Sequence, residues 1–108
     1  MVNYVYRRQG GDLMEFKREG NAIVYRDEAD KLLAEITFPP SSSNDQVVVA
    51  DHTFTDPALR GQGIAGKLLD ELVSEMDKEG KKIKATCPYV VRKFKEEPEK
   101  YDFINADK

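Results

Sequence analysis

The chain is poor in the two residue types that most often build metal sites and covalent cross-links. Its one cysteine, Cys87, has no partner for an internal disulfide, which points to a reducing compartment, the cytoplasm. Its one histidine, His52, cannot complete a Cys/His zinc cluster with it, so no metal is expected. Long apolar runs are also missing. Nothing approaches the about 20 residues of a membrane helix, and the opening MVNYVYRRQGG lacks the apolar core of a signal peptide. Neither sign of charge dominates. Lys and Arg number 17 against 20 Asp and Glu, a net −3 that gives no broad attraction to nucleic acid or anionic membrane. In 108 residues there is room for one domain with one core. Within it, residues 1–20 are the least legible part, an N-terminal extension in which MEFKR reads as an additional strand.

What is present falls into two halves of different period. NAIVYRD is a β-branched and aromatic run, EAD turns it, and KLLAEITF alternates into a second strand. Pro39 to Asp45, PPSSSND, is a loop. VVVADHTFT then reads as one strand, and its unbroken Val47-Val48-Val49 start predicts burial on both faces and a central place in the sheet. Pro57 stops it, having no N–H for a ladder. From Ile64 the apolar residues recur as Ile64, Ala65, Leu68, Leu69, Leu72, Val73 and Met76, the stripe of an amphipathic helix that ends at Gly80. KIKATC, Lys82 to Cys87, is a further strand closed by Pro88, and VVRKFKEEPEKYDFI is a short helix, a break at Pro98 and a final turn. The predicted fold class is α+β: an antiparallel meander, then a strand–helix–strand unit.

RGQGIAGKLL, Arg60 to Leu69, carries three phosphate-binding patterns at once. The P-loop reading of Gly61 to Lys67 fails because Leu68 stands where a hydroxyl must hold Mg²⁺. The dinucleotide reading of Gly61, Gly63 and Gly66 fails on context: DPALR separates the glycines from the strand, and a meander rather than a βαβ unit precedes them. The third pattern, R-x-x-G-x-A over Arg60, Gly63 and Ala65, fits its surroundings. Gly61 and Gly63 let the backbone approach an anion, and the N–H groups of Gln62, Gly63, Ile64, Ala65 and Gly66 have no acceptor within the helix they begin. The helix dipole favours a pyrophosphate there. A glycine-rich helix start that binds nothing is the alternative, at a cost of about 1 kcal/mol per glycine relative to alanine.

DHTFTDPALRGQGIAGKLLDELV followed by KIKATCPYVVRKF resembles the GCN5-related N-acetyltransferase superfamily, and within it the small members with an H-T…R-G-x-G-I-A…C-P-Y pattern. The resemblance covers roughly residues 21–101. Phe54 departs from it, standing where Glu is frequent, as do Thr55 and Asp56 in place of Val-Pro. The N-terminal helices of larger relatives, which shape the acceptor site, are expected to be missing. The resemblance implies a mixed sheet in which the strand ending at Thr55 and the strand ending at Cys87 run parallel and splay apart. It also implies acetyl-CoA as cosubstrate, bound by Arg60, Gly61, Gln62, Gly63, Ile64, Ala65 and Gly66, with backbone groups of Phe54 and Thr55 pairing with pantetheine. An amine-bearing acceptor would then attack the thioester directly near His52 and Cys87.

Such a transfer needs a base, a polarised carbonyl and a proton for the departing thiolate. His52 is the one side chain whose ordinary pKa lies near neutrality, which suits a base; its bland alternative is a satisfied strand histidine. Cys87 suits an acid or an acetyl carrier, or else is a small buried hydrophobe. Tyr89 is a substitute acid or a packing aromatic. The expectation is an acetyl-CoA-dependent N-acetyltransferase; the rival is a non-catalytic acyl-CoA-binding or protein-interaction domain. The acceptor leaves no signature.

Overall fold

A computed structural model describes residues 3–7 and 13–108, with side chains from residue 15 onward. Five strands make the larger sheet: β1 (Asn3–Arg7), β2 (Leu13–Arg18), β3 (Ala22–Arg26), β4 (Leu32–Thr37) and β6 (His52–Thr55), all antiparallel neighbours in that order. Two more, β5 (Val47–Ala50) and β7 (Lys82–Ala85), pair parallel, from Val47 opposite Lys82 to Ala50 opposite Ala85. The helices are α1 (Ile64–Glu79), α2 (Pro88–Glu96) and α3 (Pro98–Tyr101). Among the described residues no helix is long and apolar enough to cross a membrane.

The mixed α+β architecture is the expected one, and α1 starts and stops where the stripe predicts. Leu68, Leu69, Leu72 and Met76 are fully buried against Phe16, Ile23, Ala34, Ile36 and Phe38 of the meander side. Gly80 ends the helix at φ 72°, with the Lys81 N–H closing on the Met76 carbonyl at 2.8 Å. Glu75 is buried on this helix, and Arg18 of β2 and Lys78 neutralise it at 3.3 and 4.0 Å.

Three details differ from the sequence reading. VVVADHTFT is two strands, not one. Asp51 sits between them as a β-bulge opposite Thr37, its N–H reaching the Thr37 carbonyl at 3.3 Å beside the paired His52. The three valines alternate instead of being buried on both faces: Val48 and Ala50 point into the core, while Val47 and Val49 are half-buried. The KIKATC strand stops at Ala85, because the N–H groups of Thr86 and Cys87 both turn to the Ala50 carbonyl, at 3.1 and 3.0 Å, and Pro88 opens α2. In the N-terminal part, β1 pairs with β2 along its length.

The parallel pairing therefore exists only in its first half. Beyond Ala50 and Ala85 one chain follows β4 as β6 while the other becomes α2, and a wedge opens between them. The outer edge of β7 is covered by residues 104–106. Ile83 donates to the Ile104 carbonyl and accepts from Ala106, each at 2.8 Å.

Candidate functional site

The wedge is built by β6 on one side and by the start of α2 on the other. The Asp56 N–H bonds to the Leu33 carbonyl at 2.7 Å, which fixes the parity of the β4–β6 ladder. With Thr55 opposite Ala34 and Phe54 opposite Glu35, Phe54 turns its N–H and C=O to β4. Thr53 and Thr55 turn theirs to the wedge. Of the two residues expected to offer backbone groups there, Thr55 faces the wedge and Phe54 faces β4, with Thr53 beside Thr55 on the wedge side.

Side chains alternate in the opposite sense. Thr53 and Thr55 lie across from Ile36 and Ala34, on the face covered by α1. His52 and Phe54 lie across from Thr37 and Glu35, on the other face. Cys87 is buried on the α1 side, its Sγ 3.5 Å from the Thr53 Oγ1. His52 and Cys87 are thus on opposite faces of β6 and flank the wedge from two sides.

Burial pushes the Cys87 thiol up, but the Thr53 hydroxyl and the backbone N–H groups of Val90, Tyr89 and Thr53 outweigh it and hold the thiol below the ordinary cysteine range. Tyr89 shows the reverse. Burial raises its phenol, against the nearby cations Lys93 and Arg92, so it keeps its proton. The Arg92 guanidinium stands over its ring at 5.4 Å. The Tyr89 hydroxyl stands 3.5 Å from where a Cβ on Gly66 would be, which ties α2 to the start of α1.

At that start lies a cleft of about 220 Å³ walled by Thr55, Leu59, Arg60, Ile64, Ala65 and Tyr89 and floored by Gly61, Gly63 and Gly66. A short 3₁₀ turn, Pro57–Leu59, leads into it, capped by Asp56, whose carboxylate accepts the Ala58 N–H at 2.9 Å. Gly61 and Gly63 have φ of 86° and 74°, and a Cβ on either would meet nothing within 4 Å. Such angles are cheap only for glycine. The backbone N–H groups of Gly61 through Gly66 have no acceptor among the described residues; the first to find one is Lys67, on the Gly63 carbonyl at 3.1 Å. Arg60 is exposed at the rim. The cradle suits a pyrophosphate: six donors, a positive helix end and room where side chains would stand.

The family model of GCN5-related N-acetyl-transferases matches residues 22–104, from the first residue of β3 to beyond α3. The chain belongs to the GCN5-related N-acetyltransferase family. Its chemistry is acyl transfer of that type, and the cradle at α1 is consistent with use of an acyl-CoA. This acetyltransferase is similar to a GCN5-like protein of Staphylococcus aureus solved by NMR, at 28% identity over 83% of this chain and 85% of that one, with a TM-score of 0.68. A ribosomal-protein-alanine N-acetyltransferase of Brucella melitensis biovar Abortus 2308 is 22% identical over 81% and 61% of the two chains, TM-score 0.50. An acetyltransferase of Trypanosoma brucei is 16% identical over 69% and 58%, TM-score 0.51. At that distance the last two share the fold. No curated protein sequence matches the acetyltransferase.

Proposed function

We propose that the chain is a single-domain, cytoplasmic N-acetyltransferase that moves the acetyl group of acetyl-CoA directly to an amine. The observation that carries this reading is the run of six N–H groups, Gly61 to Gly66, with no acceptor among the described residues, at the same cleft as Thr55 and Tyr89. In this reading the run holds the pyrophosphate, with Arg60 at its rim, and the N–H and C=O groups of Thr53 and Thr55 take pantetheine as if it were a strand. The thioester then lies in the wedge, with the acceptor entering from the His52 face. A neutral amine nitrogen bonds to the thioester carbonyl carbon, the carbon–sulfur bond breaks, and His52 takes the proton that the nitrogen loses. Cys87, made acidic by Thr53, supplies the proton that the CoA sulfur needs, with Tyr89 as the second donor on that side. Separation of base and acid by the sheet keeps them from neutralising each other.

The test is a screen of amine acceptors by free CoA release, run beside thermal melts with acetyl-CoA. His52→Ala and Cys87→Ala should lower turnover about 10²–10⁴-fold while keeping the acetyl-CoA stabilisation. The His52→Ala loss should shrink at high pH, where the amine deprotonates unaided. Stabilisation by acetyl-CoA without CoA release to any amine would make the chain a binding domain. Equal stabilisation by ATP would discard the acyl-CoA reading.

A further inference from the structure

We infer that Glu35 selects the acceptor, holding the remote ammonium of a short alkyl diamine whose other nitrogen reacts beside His52. The inference rests on the acetyltransferase reading above and adds the class of acceptor. Its basis is the face of the sheet that α1 leaves uncovered. Lys17, Val24, Glu35 and Phe54 form one row across β2, β3, β4 and β6 on that face. His52 is the next residue on β6 to point the same way, opposite Thr37.

Glu35 is half-buried, yet no cation or hydrogen-bond donor among the described residues contacts its carboxylate. Its neighbours on the face are occupied elsewhere. Arg26 senses Glu35 through space but bonds to Glu19 at 3.2 Å and to the Asp30 carbonyl at 3.3 Å. Asp51 accepts the Thr37 hydroxyl. Lys17 is exposed at the far end of the row. The Glu35 carboxylate is left with only the through-space attraction of Arg26. Beside a reactive site, a cation on the substrate completes the pair.

The spacing sets the length of that substrate. Glu35 and His52 are diagonal neighbours across the β4–β6 pair, their Cβ atoms about 7 Å apart. A butane-length diamine spans that gap, with its methylenes alongside Phe54, which is opposite Glu35 and two residues from His52 on the same face. During transfer the attacking nitrogen gives its proton to His52 and gains the acetyl carbon, while CoA leaves as the thiol. The second nitrogen remains an ammonium on Glu35 throughout, so its charge balance does not change.

The experiment compares 1,4-diaminobutane with n-butylamine, equal in chain length, by free CoA release in the intact protein, in Glu35→Gln and in Glu35→Asp. The native protein should favour the diamine in kcat/KM by about tenfold, the worth of one partly desolvated charge-assisted contact. Glu35→Gln should bring the ratio near one, mainly through KM, and Glu35→Asp should restore part of it. A native ratio near one, or a ratio unchanged in Glu35→Gln, overturns the proposal while CoA release keeps the acetyltransferase reading intact. Absence of CoA release with both amines also overturns it. The broader reading is then judged by its own acceptor screen and acetyl-CoA melts.

Discussion

Gly63 and Gly80 bracket α1 in nearly the same conformation, with φ/ψ of 74°/18° and 72°/26°, and a Cβ on either meets nothing within 4 Å. Alanine at each position therefore meets the same strain and no clash. The left-handed region costs an L residue about 1–2 kcal/mol, partly offset by the reduced freedom of the unfolded chain, about 0.4–1 kcal/mol. A net loss of about 1 kcal/mol corresponds to about 4–8 °C in Tm for a chain of this size. Gly63→Ala and Gly80→Ala should fall together by that amount in the absence of ligand. Acetyl-CoA separates them. At a hundredfold excess over Kd, a ligand that binds only the folded chain adds about 2.7 kcal/mol, which is about 10–20 °C on the same scale. Native protein and Gly80→Ala should show that rise by differential scanning fluorimetry. Gly63→Ala should lose most of it, because the new methyl stands where phosphate oxygens must approach the N–H groups. An equal acetyl-CoA shift in both variants would mean that Gly63 serves only the helix start, and would move the pyrophosphate elsewhere.

Two further outcomes follow from the side chains around the wedge. Thr53→Val removes the hydroxyl that helps hold the Cys87 thiol low, so the pH midpoint of iodoacetamide labelling at Cys87 should move upward; an unmoved midpoint would leave the backbone N–H groups as the whole cause. Tyr101 is buried, donates to the Asp70 carboxylate at 2.9 Å and is pushed far above the ordinary phenol range, first by burial and then by Asp70. Its raised folded pKa makes its contribution complete below about pH 10 and progressively lost above it, where the unfolded phenol ionises. Urea titrations should show stability falling above that pH. Tyr101→Phe should cost about 1 kcal/mol at neutral pH and flatten the alkaline decline without abolishing it, since Tyr89 is shifted the same way.

The parts legible in the sequence are those set by local chemistry. The stripe from Ile64 to Met76 and the glycines at either end define α1, because period, left-handed caps and the missing intrahelical acceptors are all properties of one short stretch. The cleft at Arg60 to Gly66 was legible for the same reason. The division of VVVADHTFT was not. Asp51 is a bulge only because two sheets pull on its neighbours in different directions, and no residue type announces that. The choice between Phe54 and Thr53 as the wedge-facing backbone needed the Asp56–Leu33 bond to set the parity. The placement of His52 and Cys87 on opposite faces follows from that parity too. Glu35 belongs to no motif, and its position matters only once β4 lies beside β6. β1 was illegible because NYVYR has strand-forming residues but gains its identity from pairing with β2.

The cover that residues 104–106 give to β7 has a consequence for solubility. A parallel pair at the end of a sheet offers unpaired N–H and C=O groups to any passing strand, the usual start of edge-to-edge aggregation. Here β7 is blocked by Ile104 and Ala106, and β5 is blocked on its other side by the bridge from Pro40 to Val48. Among the described residues the edge of β6 at Thr53 and Thr55 is left open, at the entrance that the cosubstrate uses in our reading. In that reading a bound acetyl-CoA also caps this edge, much as residues 104–106 cap β7.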